Sequence, residues 1–130
     1  MTVIIIVFHY WSLRMITLLS KKHTSHFIMS VSVVLCIFTL HLVEIAWYAV
    51  HIYFVYEIFG FNGFAESFSP SANDYFHLAA SSYSTLGMVS PTPVGKLAIV
   101  IDLVSLTGFM MLTWSATYYY NIFSNSHSPD

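Results

Sequence analysis

The sequence predicts an all-α membrane protein with three transmembrane helices and a short re-entrant helix between the last two. Three observations carry this. Hydrophobic residues make up 57% of the 130 residues and charged residues only 8%, ten side chains in all. The mean hydropathy is +0.71. A soluble domain typically has about 25% charged residues, so this chain lacks the means to build a water-facing surface. The charges are also unevenly spread: residues 1–20 hold only Arg14, residues 23–43 hold none, and residues 103–129 hold none. A helix needs about 20 residues to cross a hydrocarbon core of about 30 Å. The charge-poor runs therefore predict spans over residues 2–20, 27–58 and 94–123.

The first span has no basic n-region and no A-x-A site, so it reads as a retained anchor rather than a signal peptide. The second is long enough to tilt or protrude. Trp47, Tyr48, Tyr53 and Tyr56 crowd its C-terminal part, and Tyr118, Tyr119 and Tyr120 stand near the end of the third. Such rings either mark headgroup depth or pack against neighbouring helices. Arg14, Lys21 and Lys22, with His23 and His26, cluster around the junction of the first two spans. The positive-inside rule makes that junction cytoplasmic. The N-terminus and residues 59–93 are then external and the tail is cytoplasmic, in a multi-pass cell-membrane protein (the inner membrane if bacterial).

Between the second and third spans the composition changes twice. Residues 60–75 are rich in Gly, Ser, Asn and Pro and predict a loop. Asp74 to Tyr83 then reads as a helix too short to span a membrane and too apolar for water. If it enters the membrane its ends need protein cover, because irregular backbone is not tolerated against lipid. The run 84–89 follows as an extended segment, and Ser90-Pro91-Thr92-Pro93 breaks the chain before the last span. This order of helix, short helix, extended run and helix is the layout of a pore loop with a filter-like segment.

Three motifs then carry a resemblance. His41-Leu42-Val43-Glu44-Ile45-Ala46-Trp47-Tyr48-Ala49 matches the His-Leu-x-Glu-Ile-x-x-Trp/Tyr-Ala pattern, and Tyr83-Ser84-Thr85-Leu86-Gly87-Met88-Val89-Ser90 parallels a Tyr-Thr-Thr-Leu-Gly-Tyr-Gly-Asp run. Gly108 is followed six residues later by Trp114-Ser115. Over about residues 27–123 the chain resembles the bacterial potassium-channel-like two-transmembrane pore family, of the type with an extra N-terminal helix. The resemblance implies residues 1–26 as an N-terminal helix with a basic loop, 27–123 as the pore domain and 124–130 as a short tail. It also implies four copies around one axis, a homotetramer passing monovalent cations. The tail is too short for a cytoplasmic ligand-binding domain.

A filter replaces an ion's water shell with rings of backbone carbonyls. In the family that strand alternates between ordinary and left-handed backbone, which glycine adopts without a Cβ penalty. The resemblance makes Ser84, Thr85, Leu86, Gly87, Met88 and Val89 the ion filter. Gly87 keeps the first left-handed position, but Val89 stands at the second, where a β-branched residue is an outlier. Met88 replaces a bracing aromatic and Ser90 an acidic residue of the outer mouth. Two readings stay open: a cation channel subunit with a degenerate, weakly or non-potassium-selective filter, or a non-conducting structural or regulatory subunit that keeps the fold.

His41 and Glu44 are three apart and share a helical face, with His51 close to it. An ionisable residue inside a span is a functional hypothesis by default. The pair either anchors the second span to a neighbouring helix or senses protons. Ligation of haem or a metal would need His9 or His77 as well. In the third span Asp102, Leu106, Met110, Thr113 and Thr117 fall on one face. Met110, Thr113 and Thr117 either line a wet pore or sit at a packed helix interface, and Gly108 is the candidate hinge. Asp102 could pair with Lys96 or reach behind the filter. The sequence holds no nucleotide motif and no nucleophile with a base, so no enzyme activity and no cofactor are expected. A net charge of −2 argues against nucleic acid as a partner, because four Lys and Arg residues are too few to neutralise phosphates. Cys36 is the only cysteine, so neither an intrachain disulfide nor a cysteine-based zinc site can form.

Overall fold

The computed structural model describes residues 2–20, 26–61, 63–65, 69–87 and 92–124. They are helical apart from the connections, with no strand among the described residues: α1 (Thr2–Ser20), α2 (His26–Tyr53), α3 (Ala72–Tyr83) and α4 (Gly95–Ser124). A π-helical turn over Phe54–Ile58 prolongs α2. Two helical segments, His26–Ile58 and Gly95–Ser124, are long and apolar enough to cross a membrane. In α1 the apolar part, Thr2–Leu18, is shorter.

The chain packs as two units, and α2 and α4 each pass through both. The first unit comprises residues 1–42 and 111–130. Its core is Leu13, Ile16, Val33 and Leu40, closed by Met29, Ile37, Tyr118, Tyr119, Ile122 and Phe123. Two phenols tie its helices together: Tyr118 donates to the Leu13 carbonyl oxygen, and Tyr119 Oη lies 2.6 Å from Ser30 Oγ.

The second unit comprises residues 43–110. Within it, α3 has definite boundaries. Ser71 precedes the helix in extended conformation, and the Asp74 carboxylate reaches back to accept its N–H and its hydroxyl, each at 2.7 Å. These bonds hold the Asp74 carboxyl below its ordinary value, the hydroxyl contributing most. The contact therefore supports the start of α3 at neutral pH and is lost as pH falls through that lowered value. At the other end Leu86 N–H bonds to Ser81 O and Thr85 N–H to Ser82 O, each at 3.0 Å, which is a Schellman turn. Its left-handed residue is Thr85, at φ 58°. Glycine is usual there, because a Cβ costs about 1–2 kcal/mol in this region. Left-handed backbone thus begins two residues earlier than Gly87, and Ser84-Thr85 forms a turn where an extended segment is expected from the sequence.

The loop before α4 is drawn back onto the loop after α2. Ala65 N–H donates to Thr92 O at 3.0 Å and Val94 N–H to Gly63 O at 2.6 Å. In α4 the buried positions Leu97, Ile101, Val104, Gly108, Met111 and Ser115 recur at spacings of four and three. Such a seam is the kind that packs against other helices.

Candidate functional site

The geometry of the second unit converges on the C-terminal end of α3. Tyr83 is the last residue of that helix and is 1% exposed. Its hydroxyl donates to Glu44 Oε2 on α2 at 2.5 Å, and Glu44 is itself 1% exposed. A phenol is protonated at neutral pH, so Tyr83 is the donor and the carboxyl oxygen the acceptor. The Tyr48 ring packs 6.1 Å from the Tyr83 ring on the same side.

The backbone of Tyr83 also rests on α4. A Cβ built at Gly108 would lie 2.8 Å from Tyr83 Cα and closer still to its carbonyl group. Gly108 therefore serves close approach here, and α4 runs through it without interruption. Gly108→Ala sets two effects against each other. Alanine favours a helix interior by roughly 0.5–1 kcal/mol over glycine, but the methyl would meet backbone that Glu44 holds in place, and overpacking costs about 1–3 kcal/mol. The clash wins: thermal unfolding in detergent is expected to show a less stable protein, whereas a gain in stability would mean that α3 can shift away from α4 at little cost.

A second tie holds the start of α3. Tyr75 Oη donates to Glu57 Oε1 at 2.7 Å. Burial, and after it the Glu57 carboxylate, hold this phenol above its ordinary value, so it remains a donor. Glu57 belongs to the π-helical turn, whose wider winding shifts the phase of its side chains relative to the preceding helix. Tyr53 and Tyr56 pack around the Tyr75 ring at 5.5 and 6.1 Å.

The residues expected to form the filter lie just beyond Tyr83. Ser84 caps α3, and its hydroxyl turns back to the Ala80 carbonyl oxygen at 2.7 Å. Thr85, Leu86 and Gly87 are exposed, Leu86 by 71%. Thr85 and Gly87 both have positive φ, 58° and 67°, with Leu86 between them. Met88, Val89 and Ser90 lie outside the described residues. The macrodipole of α3 presents its negative end to residues 84–87.

The other expected residues are distributed as follows. Met110, Thr113 and Thr117 are exposed on the α4 face opposite its buried seam, together with Asp102 and Leu106. The Thr117 hydroxyl bonds back to Thr113 O at 3.0 Å. Lys96 Nζ sits 5.3 Å from the centre of the Phe61 ring. In the first unit the His41 ring lies 5.6 Å from that of His9, which is fully buried and has Nε2 3.2 Å from Ser115 Oγ. Sequence reasoning missed Tyr83 as the partner of Glu44, the tie between Tyr75 and Glu57, and the close approach at Gly108. The composition carries a signal only for the first, since a carboxyl group inside a span demands a donor. No family model, no curated protein and no solved structure matches this chain.

Proposed function

We propose that the chain is the pore-forming subunit of a homotetrameric cation channel in the cell membrane, similar to the potassium-channel-like two-transmembrane pore family, with α1 as an additional membrane helix. One observation carries the reading: α3, twelve residues long, sits between two helices of spanning length and ends in a turn with left-handed Thr85 and Gly87. A helix too short to span, tied through Tyr83 to Glu44 and seated on Gly108, is supported by protein in the way a re-entrant element requires. Its negative dipole end and the carbonyl and hydroxyl groups of residues 84–87 suit a cation rather than an anion.

A single such loop cannot surround an ion. Closed cyclic assembly supplies the other copies, and the exposed stripe from Asp102 to Thr117 on α4 is the surface that would line the pathway. The rival, a partner subunit that keeps the fold without conducting, is favoured by the turn at Ser84-Thr85, which takes two residues out of an extended filter run.

Two measurements on purified protein in liposomes test the proposal. Chemical cross-linking is expected to give a ladder ending at four copies; a ladder ending at two removes the central axis. Flux is expected to carry both potassium and sodium with little preference. Tetramers that pass neither ion would support the non-conducting partner instead.

A further inference from the structure

The first unit contains a feature that permeation does not use. Along α1, Tyr10, Leu13, Arg14 and Leu18 form one wall of a groove of about 350 Å³, and Trp114 and Tyr118 of α4 form the other. The volume lies within the range of ligand pockets. The polar groups around Leu13 are satisfied internally, since its carbonyl oxygen accepts from both Tyr118 and Thr17. Arg14 is different. Among the described residues it is the only charged one lining the groove, and its guanidinium carbon lies 5.7 Å from the centre of the Trp11 ring. A cation in an apolar helix is costly unless it reaches an anion or the headgroup region.

We propose that this groove binds an acidic phospholipid of the cytoplasmic leaflet, its phosphate on Arg14 and one acyl chain between α1 and α4. The inference rests on the membrane reading above but not on conduction. Charge complementarity carries it. Arg14 lies six residues before the end of α1, about 9 Å along the helix, a distance that an arginine side chain can bridge to the headgroups by snorkelling. Lys21 and Lys22 follow in the sequence, so three of the four Lys and Arg residues fall within nine positions. The cytoplasmic leaflet is the one with a negative surface potential, and basic pockets between helices on that side bind acidic headgroups. The remaining lining favours a lipid over a free anion: Leu13 and the rings of Tyr10 and Trp114, which lie no nearer the end of α1 than Arg14 does, offer apolar surface to an acyl chain.

Native mass spectrometry of the full chain tests this, with the protein released from detergent containing equal phosphatidylglycerol and phosphatidylcholine. The first lipid bound per chain is expected to be phosphatidylglycerol by about fivefold, the ratio that about 1 kcal/mol per basic residue gives. Arg14→Gln should bring that ratio to about one, and Arg14→Lys should keep most of it. Leu18→Phe, which narrows the groove and retains the charge, should lower occupancy by both lipids. Excess glycerol phosphate should not displace the lipid. Equal binding of the two lipids by the unsubstituted chain overturns the proposal. So does displacement by glycerol phosphate, which would make this a site for a free anion. Loss of the preference on Lys21→Gln with Lys22→Gln, but not on Arg14→Gln, would assign it to diffuse surface attraction. If Arg14→Gln does not fold, Arg14→Lys and Leu18→Phe still decide the question. Absence of flux would leave the lipid ratio untouched, so the two proposals fail separately.

Discussion

Replacing Glu44 with alanine is expected to lower stability by about 2–4 kcal/mol and, if the chain forms the proposed channel tetramer, to dissociate it before abolishing permeation. The magnitude follows from what is lost. Glu44 and Tyr83 are each 1% exposed and joined at 2.5 Å, so the substitution leaves a buried phenol without its acceptor and opens a cavity. Hydrogen bonds between membrane helices average only about 0.6 kcal/mol and reach about 1.7 at most. A bond this buried belongs at the upper end, and the cavity adds to it at roughly the rate seen for large-to-small core changes. Glu44→Gln keeps an acceptor oxygen and the shape, so it should cost under about 1 kcal/mol. Tyr83→Phe removes only the donor and should fall between the two. Because both residues serve one contact, Glu44→Ala combined with Tyr83→Phe should cost less than the sum of the single changes. Thermal unfolding in detergent, read beside cross-linking in lipid, measures all four proteins. An alanine variant that assembles normally and loses only a pH response would assign Glu44 to proton sensing instead of anchoring.

The long helices and α3 are legible in the sequence because the absence of charge and the change of composition at residue 74, two residues inside the observed start of α3, are properties of whole segments. Individual contacts are less accessible. Glu44 announces that it needs a partner, but three-residue spacing on one helix pairs it with His41, whereas in the fold it accepts a hydrogen bond from a tyrosine thirty-nine positions away. Gly108 looks like a hinge in one dimension, because glycine permits bending and close approach equally well. The helix end was hidden for the opposite reason. A Schellman turn is recognised by glycine at its left-handed position, and here threonine occupies it. The π-helical turn that carries Glu57 has no compositional mark at all.

If the chain conducts as proposed, introducing Met88→Tyr, Val89→Gly and Ser90→Asp together is expected to change ion preference more than any other substitution. Under the proposed channel reading the unmodified protein is expected to discriminate little between potassium and sodium, because a carbonyl ring beyond Gly87 requires a further left-handed residue and valine resists that conformation. Thr85 and Gly87 already have positive φ, with Leu86 between them. Glycine at position 89 would extend this alternation by one further step, and, on the proposed likeness to the pore family, tyrosine would act as a brace and aspartate would place charge at the outer mouth. More carbonyl layers mean more places where the ion's water shell is replaced by fixed dipoles. A potassium-to-sodium flux ratio of roughly ten or more is expected, equivalent to about 1.4 kcal/mol between the two barriers. Thr85→Ala in the same background should lower the ratio by removing a hydroxyl at the inner end of the run. If the unmodified protein already strongly prefers potassium, the account of Val89 is wrong and a β-branched residue is tolerated in the ring. If the triple change leaves a conducting protein with its ratio unmoved, the turn at Ser84-Thr85, rather than the residues after Gly87, limits the filter, and Thr85→Gly becomes the substitution that separates helix termination from ion contact.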